Sequence, residues 1–567
     1  MLAKTEITQL LTDLYGSQSV DAILNRLFEL TRRYENRLPL PKRTGLNQKD
    51  AFLIAYPDQL REPGTKPLSS LALFCNRSLP AVTPCIHILP FFPSSSDDGF
   101  SVIDYRQVDP QNGSWQDIAN LQQNFRIMVD GVFNHVSAKS SWFQAFLRDD
   151  PTYNDFFIVV EDSPDLSQVV RPRASPLLTC FKTSSGLKQV WTTFSSDQTD
   201  LNFKNPQVLL EILDILLFYV SQGAEFIRLD AIAYLWKEIG TPCIHLPHTH
   251  QVIQLFRAVL DQLAPQVYLI TETNVPYSEN LSYFGDGFNE AQLVYNFALP
   301  PLVLDAIRQG RGSTLSEWVA GLVLPSDRVT FYNFLASHDG IGLNPVRGIL
   351  ADADIAALVE QTLQHGGFVS FKTNPDGSRS PYELNINYFD ALSDPAGKEP
   401  LWRQIERAVA AHAVLFSLLG VPAIYFHSLF GNRGWREGAL QTGHNRTINR
   451  QKLELLDLER ELGDPMSIRS QVFNKLSALL LLRAGYPAFD PYGFQVVLAC
   501  GEPFFSLLRR SPDGSSRVLC LINLSSQTQT AHLPVGYHPR LELISGLPVD
   551  GVISIQMQPY QVCWFQL

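Results

Sequence analysis

The run Gly223-Ala224-Glu225-Phe226-Ile227-Arg228-Leu229-Asp230-Ala231 decides the fold. Residues 226–229 read as a short buried strand that ends in a carboxylate. Side chains alternate along a strand, so Arg228 and Asp230 point the same way. A parallel strand that delivers Arg and Asp together at its C-terminal end has the make-up of an active-site edge. Taken alone, the run reads more simply as a structural ion pair. The rest of the chain reverses that preference.

Working outward, seven more apolar runs have the length of buried strands. They are Ala51-Phe52-Leu53-Ile54-Ala55-Tyr56, Cys85-Ile86-His87-Ile88-Leu89, Arg126-Ile127-Met128-Val129-Asp130, Val267-Tyr268-Leu269-Ile270-Thr271-Glu272, Leu293-Val294-Tyr295-Asn296-Phe297, Val329-Thr330-Phe331-Tyr332-Asn333-Phe334-Leu335 and Val421-Pro422-Ala423-Ile424-Tyr425-Phe426. Helical stretches such as 207–220 and 405–419 alternate with them. Strands alternating with helices make a parallel sheet, and eight of them predict an α/β fold, a closed (β/α)8 TIM barrel. Two connections are too long for ordinary barrel loops. Both leave the C-terminal end of a strand, where lids over a barrel site belong. The second contains Lys372-Thr373-Asn374-Pro375-Asp376-Gly377-Ser378. After residue 485 the pattern turns to short β-like runs. We therefore expect the barrel to begin in 1–135 with an N-terminal helical stretch, continue in 204–337 and finish in 400–485. Residues 136–203 form an inserted subdomain, 338–399 an inserted loop region, and 486–567 a C-terminal antiparallel β domain.

The chain has 567 residues, 45% of them hydrophobic, and a formal net charge of −11. The acidic balance argues against nucleic acid or an anionic membrane as partner. Met1-Leu2-Ala3-Lys4-Thr5-Glu6 has no apolar core after its lysine, so it does not read as a signal peptide. Apolar runs such as 478–482 are too short to span a bilayer. Seven cysteines are scattered with no paired spacing. The reading is a cytoplasmic protein with free thiols, a monomer or homodimer. Cys243, His245, His248 and His250 crowd one stretch, which reads as a polar loop rather than a metal site. No metal and no cofactor are expected.

Carboxylates recur at the strand ends: Asp130, Asp230, Glu272, and Asp339 just after the seventh strand. A barrel gathers these ends around one pocket. Several acids in one pocket either bind a metal or do acid/base and nucleophilic chemistry, and the histidines here, His135 and His338, sit as polar donors would for a sugar. Glycosyl transfer needs a carboxylate nucleophile and a separate carboxylic acid, about 5–5.5 Å apart in retaining enzymes. The fourth and fifth strands are neighbours, so Asp230 and Glu272 are the natural pair. Arg228 beside Asp230 is expected to keep that carboxylate ionised, and whichever of the two carboxyls acts as an acid needs a raised pKa.

Asp130-Gly131-Val132-Phe133-Asn134-His135, Arg228-Leu229-Asp230, Glu272 and Ser337-His338-Asp339 resemble the four signature regions of the α-amylase superfamily, glycoside hydrolase family 13. Leu89-Pro90-Phe91-Phe92, Asp97-Asp98-Gly99-Phe100, Arg171-Pro172-Arg173, Ala298-Leu299-Pro300-Pro301-Leu302, His338-Asp339-Gly340-Ile341-Gly342 and Asn445-Arg446-Thr447-Ile448-Asn449-Arg450 resemble its sucrose phosphorylase branch. The resemblance implies that Asp230 is the nucleophile, Glu272 the general acid/base and Asp339 the stabiliser of the transition state. It implies a glucosyl subsite of Asp97, Phe100, His135, Arg228, His338 and Arg446, with Phe100 stacking on the sugar. It also implies Arg173 as the phosphate-binding cation and Tyr382 and Glu383 on the acceptor side.

Glu272-Thr273-Asn274-Val275-Pro276 departs from the Val-His pair that follows the acid in sucrose phosphorylases, and Glu383 replaces a usual Gln. Ile244-His245-Leu246-Pro247-His248-Thr249-His250 differs as well. These departures resemble the relatives that phosphorolyse glucosylglycerate or glucosylglycerol. The resemblance thus implies a retaining α-glucoside phosphorylase that takes a small glucoside and inorganic phosphate, glucosylglycerate ranked first, then glucosylglycerol, then sucrose. A hydrolase or transglucosidase on the same scaffold is the competing enzyme class, and a non-catalytic relative is opposed by the complete Asp230, Glu272 and Asp339 set.

Overall fold

A computed structural model describes residues 2–39, 43, 45–173, 175–374, 378–549 and 551–567. Eight parallel strands close into a barrel: β1 Phe52–Ala55, β2 Cys85–Ile88, β3 Arg126–Gly131, β4 Ala224–Leu229, β5 Tyr268–Thr271, β6 Leu293–Tyr295, β7 Thr330–Phe334 and β8 Val421–Tyr425. Each pairs with its sequence neighbours, and β1 closes the ring by pairing with both β2 and β8. The (β/α)8 expectation therefore holds. The strands are apolar on both faces because one face meets the barrel interior and the other the helices. Inside, Phe52 meets Phe226 at 4.9 Å and Tyr332 at 5.2 Å, with Tyr295 stacked on Tyr332 at 4.5 Å. These rings fill the barrel, so it is a packed core and not a pore.

Helices α1 Leu2–Tyr15 and α2 Val20–Tyr34 precede the barrel. After them come α3 Pro67–Ser78, α4 Trp115–Gln122, α5 Pro206–Ser221, α6 Pro247–Leu263, α7 Tyr277–Leu281, α8 Leu299–Gln309, α9 Leu401–Ser417 and α10 Ile468–Gly485. α1 packs on α6 and α2 on α5. The start of α5 shows why it begins where it does. Asn205 accepts from the Gln207 amide at 2.9 Å and Pro206 takes the first helical position. The missing proline donor costs nothing there, and the cap satisfies an otherwise orphaned amide.

The chain between β3 and α5 carries the hairpin Leu178–Thr183 with Gly186–Trp191, and the strand Gln198–Asp200 pairs with His135–Ser137. The chain between β7 and α9 carries a three-stranded sheet of Ile341–Gly342, Phe368–Thr373 and Arg379–Asn385. Residues 375–377 of that connection lie outside the described residues. Both excursions rise from the C-terminal rim of the barrel. A six-stranded sheet running from Phe494–Val497 to Val562–Gln566 follows α10, all its pairings antiparallel.

Two buried arginines stitch this sheet and α10 to the barrel. Arg483 donates to the Phe416, Gly420 and Phe489 carbonyls and also to Gln48 and Asp50, just before β1. Arg509 donates to Ser417 at 2.9 Å and Leu418 at 2.6 Å. Both guanidiniums therefore meet the C-terminal end of α9, where unpaired carbonyls and the helix dipole favour a cation. Among the described residues, no helix is long and apolar enough to cross a membrane.

Candidate active site

The floor of the rim cavity is a buried ion network. Asp130, fully buried at the end of β3, takes His87 Nε2 at 2.7 Å and an Arg228 guanidinium nitrogen. Strand register places Asp130 directly opposite Arg228. Arg228 then reaches Asp230 at 2.9 Å and approaches Glu272 at 3.9 Å. One guanidinium thus spans three carboxylates. This corrects the expectation that all four strand-end acids face the pocket. Asp130 lies beneath it, spent on Arg228, and Arg228 itself supports the cavity from below rather than lining it.

Asp230 leaves β4 and the chain turns at once. Ala231 adopts a left-handed conformation, φ +49°, which aims its amide at Glu272 Oε2, 2.9 Å away. The Glu272 amide in turn donates to the Leu229 carbonyl. Adjacent strands therefore fix the two carboxylates side by side. Burial is the largest influence on both and pushes each up, to about 7; Arg228 opposes it, and Asp339 adds to the rise. Arg228 does not hold Asp230 in the usual carboxylate range, because it is shared with Asp130 and burial outweighs it. Of the pair, Asp230 holds the closer guanidinium contact, which favours its ionised form more than that of Glu272.

Asp339 behaves oppositely. Burial would raise it, but Arg446, with Arg450, holds it well below the usual carboxylate range. Arg446 forms an ion pair with it, and Arg450 lies 3.5 Å away. Burial pushes His338 down to about 3, so it is neutral at pH 7, and its ring stacks on Phe100 at 4.8 Å. One face of Phe100 is therefore already occupied by His338. His135 is also held neutral by burial. Its Nε2 donates to the Phe100 carbonyl at 2.9 Å, and its Nδ1 accepts from Asn134 at 3.3 Å. Asn134 is oriented by Lys237, a buried ammonium 2.7 Å from its Oδ1 that also pairs with Asp200 at 2.5 Å.

The cavity brings together Asp97, Phe100, His135, Arg173, Asp230, Glu272, His338, Asp339, Tyr382 and Arg446. Glu383 is not among them. Its buried carboxylate is held by Arg446 at 2.8 Å and by the Gly340 amide at 3.2 Å, so it faces an adjoining outer cleft rather than this cavity. Among the described residues no carboxylate pairs with Arg173, whereas Arg228, Arg446 and Arg450 are all engaged. The sequence reading missed Phe194, Gln198, Tyr234 and Asn274 in the lining. It also missed Arg450, which binds Asp97, Asp98 and the His338 carbonyl. Arg450 lies within the quoted 445–450 motif and Asn274 two residues after Glu272, so both had a signal. Phe194 and Gln198 sit in an insertion without periodicity and had none. The stretch expected as a polar loop turns into a helix halfway: Pro247 opens α6, so His248 and His250 are helical. His248 stacks on Trp236, His250 pairs with Glu290, and His245 bonds Tyr283.

An eight-stranded parallel barrel with acids gathered at its C-terminal rim is the build of a TIM-barrel enzyme. The family model for the α-amylase catalytic domain matches residues 82–320. The glucosylglycerate phosphorylase of Spirochaeta thermophila is 50% identical, over 98% of this chain and 97% of its own. That of Escherichia coli K12 is 43% identical over 99% of this chain and 100% of its own. The crystal structure of sucrose 6F-phosphate phosphorylase from Thermoanaerobacter thermosaccharolyticum superposes with a TM-score of 0.75 at 24% identity, covering 91% of this chain and 100% of that one, and so shares the fold. The chain belongs to the α-amylase family, glycoside hydrolase family 13, as a glycoside phosphorylase of its sucrose phosphorylase-like branch.

Proposed function

We propose that the chain is a retaining phosphorylase of glucosylglycerate. It converts the 2-O-α-glucosyl compound and phosphate into α-D-glucose 1-phosphate and glycerate. Asp230 attacks the anomeric carbon to form a β-glucosyl ester while Glu272 gives its proton to the departing glycerate oxygen. A phosphate oxygen then attacks the same carbon, the ester bond breaks and Glu272 recovers a proton from the entering phosphate. Burial raises both carboxyls alike, and it is the closer contact of Arg228 with Asp230 that supports this division of roles. Asp339, held ionised by Arg446 and Arg450, stabilises the positive charge that develops on the sugar. Asp97, Phe100, His135, His338 and Arg446 hold the glucosyl unit over the Arg228 platform.

The observation that carries the reading is Arg173 on the cavity wall, which has no carboxylate partner among the described residues. A phosphate dianion entering beside Asp230, Glu272 and Asp339 needs a cation not already spent on a carboxylate. The same guanidinium suits the carboxylate of glycerate. Glu383 offers no objection, since Arg446 neutralises it away from the acceptor. The full-length similarity to proteins named glucosylglycerate phosphorylase supports the same acceptor. Scattered free thiols fit a reducing compartment, and we place the enzyme in the cytoplasm.

One panel tests the reading: kcat/KM for glucosylglycerate, glucosylglycerol and sucrose, each with and without phosphate. Glucosylglycerate is expected to lead, with release of glucose 1-phosphate. A tenfold advantage for sucrose, about 1.4 kcal/mol of transition-state binding, would reject the acceptor. Free glucose formed equally fast without phosphate would reject phosphorolysis.

A further inference from the structure

Asp97 reaches the cavity from an unusual turn. Asp97, Asp98 and Gly99 are three consecutive left-handed residues, with φ of +51°, +47° and +110°. Short polar side chains tolerate this region better than most, yet a run of it persists only when its surroundings impose it. Gly99 has no alternative, because a Cβ there would lie 2.6 Å from the Pro90 carbonyl oxygen.

The stem of this turn is closed by the backbone, with the Ser95 amide donating to Ser101 and Ser94 bridged to Val102. Arg450 holds the Asp97 and Asp98 side chains at the tip, and the flanks are held from another segment. Asp197, in the inserted segment after β3, accepts three hydroxyls on one carboxylate oxygen: Ser95 at 2.5 Å, Ser96 at 2.5 Å and Ser101 at 2.8 Å. The Ser101 hydroxyl also lies 3.0 Å from the Asp197 backbone carbonyl, sharing its one proton between the two oxygens, and that carbonyl accepts from the Ala138 amide at 2.8 Å. The next residue, Gln198, donates to the Phe100 carbonyl at 3.2 Å. Serines on both flanks of the strained tip therefore converge on a single charged acceptor that belongs to a different segment. Hydroxyl donors to an ionised carboxylate form the strong, short class of hydrogen bond.

We propose that Asp197 is a positioning residue for the reaction. It clamps the 95–101 turn so that Asp97 and Phe100 present themselves to the glucosyl unit. The inference rests on the placement of that unit against Asp97 and Phe100, but not on the identity of the acceptor.

Exchange of labelled phosphate into α-glucose 1-phosphate tests it, since that reaction needs no acceptor and proceeds under any acceptor assignment. Asp197→Ala should raise the KM for glucose 1-phosphate about tenfold and leave the phosphate KM within about twofold. Asp197→Asn keeps an oxygen that accepts hydroxyls and should recover much of the loss. In an Asp97→Ala background, Asp197→Ala should add less than about threefold, because it acts through the turn. Equal rises in both KM values, or a full tenfold effect added to Asp97→Ala, would overturn the proposal. Should Asp197→Ala fail to fold, Ser96→Ala and Ser101→Ala each remove one hydroxyl and must show the same split on a smaller scale; a split in neither would also overturn it.

Discussion

Asp230 and Glu272 share one guanidinium but are assigned different work, and a single donor separates them. Asp230→Ala is expected to lose turnover on every donor, because no glucosyl ester can form. Glu272→Ala should keep measurable turnover on α-glucosyl fluoride, whose leaving group needs no proton. Identical responses to the fluoride would undo the assignment. The same two carboxyls carry a stability signature. Their folded values of about 7 lie above the ordinary 3.8 and 4.5. Between about pH 4 and pH 7 the folded protein therefore binds more protons than the unfolded chain, and stability falls as pH rises through that window. Glu272→Gln, neutral throughout, should melt above the wild type at about pH 8 and lose that advantage near pH 4. Calorimetry at the two values decides it, and an equal shift at both would show that burial does not load the site in this way.

At the scale of elements, the barrel strand ends supply Asp230 and Glu272, and the connections above them add charged groups of their own. Arg173 arrives on such a connection. Arg173→Ala should raise the phosphate KM at least about tenfold, as expected for a lost charge-assisted bond, and affect transfer to a neutral acceptor less. An unchanged phosphate KM would show Arg173 to be a solvated charge with no part in binding phosphate. This division also explains what the sequence made legible. Strand ends announce themselves, because an apolar run followed by Asp or Glu is a local pattern; Asp230 and Glu272 were visible for that reason. Asp130 shows the same pattern, yet lies under the cavity, since only pairing register reveals that it faces Arg228. Gln198 and Phe194 depend on how an insertion folds back, and no local pattern encodes that. The resemblance implies Glu383 on the acceptor side, but the sequence does not show that Arg446 pairs with it.

For the whole molecule, α9, α10 and the C-terminal sheet meet at Arg483 and Arg509. Arg509→Met would keep volume but leave the Ser417 and Leu418 carbonyls without their donor, each buried polar group costing about 1–3 kcal/mol. A clear fall in Tm is expected, with kcat of the folded fraction preserved, since the change is confined to the joint between the sheet and α9. A loss of kcat at full stability would mean that the sheet acts on the site directly.

The double reach of Arg483, to the backbone before β1 and to the backbone before β8, sets an order of events during synthesis. β1 emerges from the ribosome early, but its second partner comes only after most of the chain has been made. Until then the nascent sheet is an arc with two bare edges, which is the geometry that recruits stray strands. The side chain that stitches the seam lies later still, in α10. Translation halted anywhere before α10 leaves an arc whose seam has not been stitched. Pulse-labelled nascent chains should therefore gain protease resistance in one late step, as α10 clears the exit tunnel, rather than strand by strand.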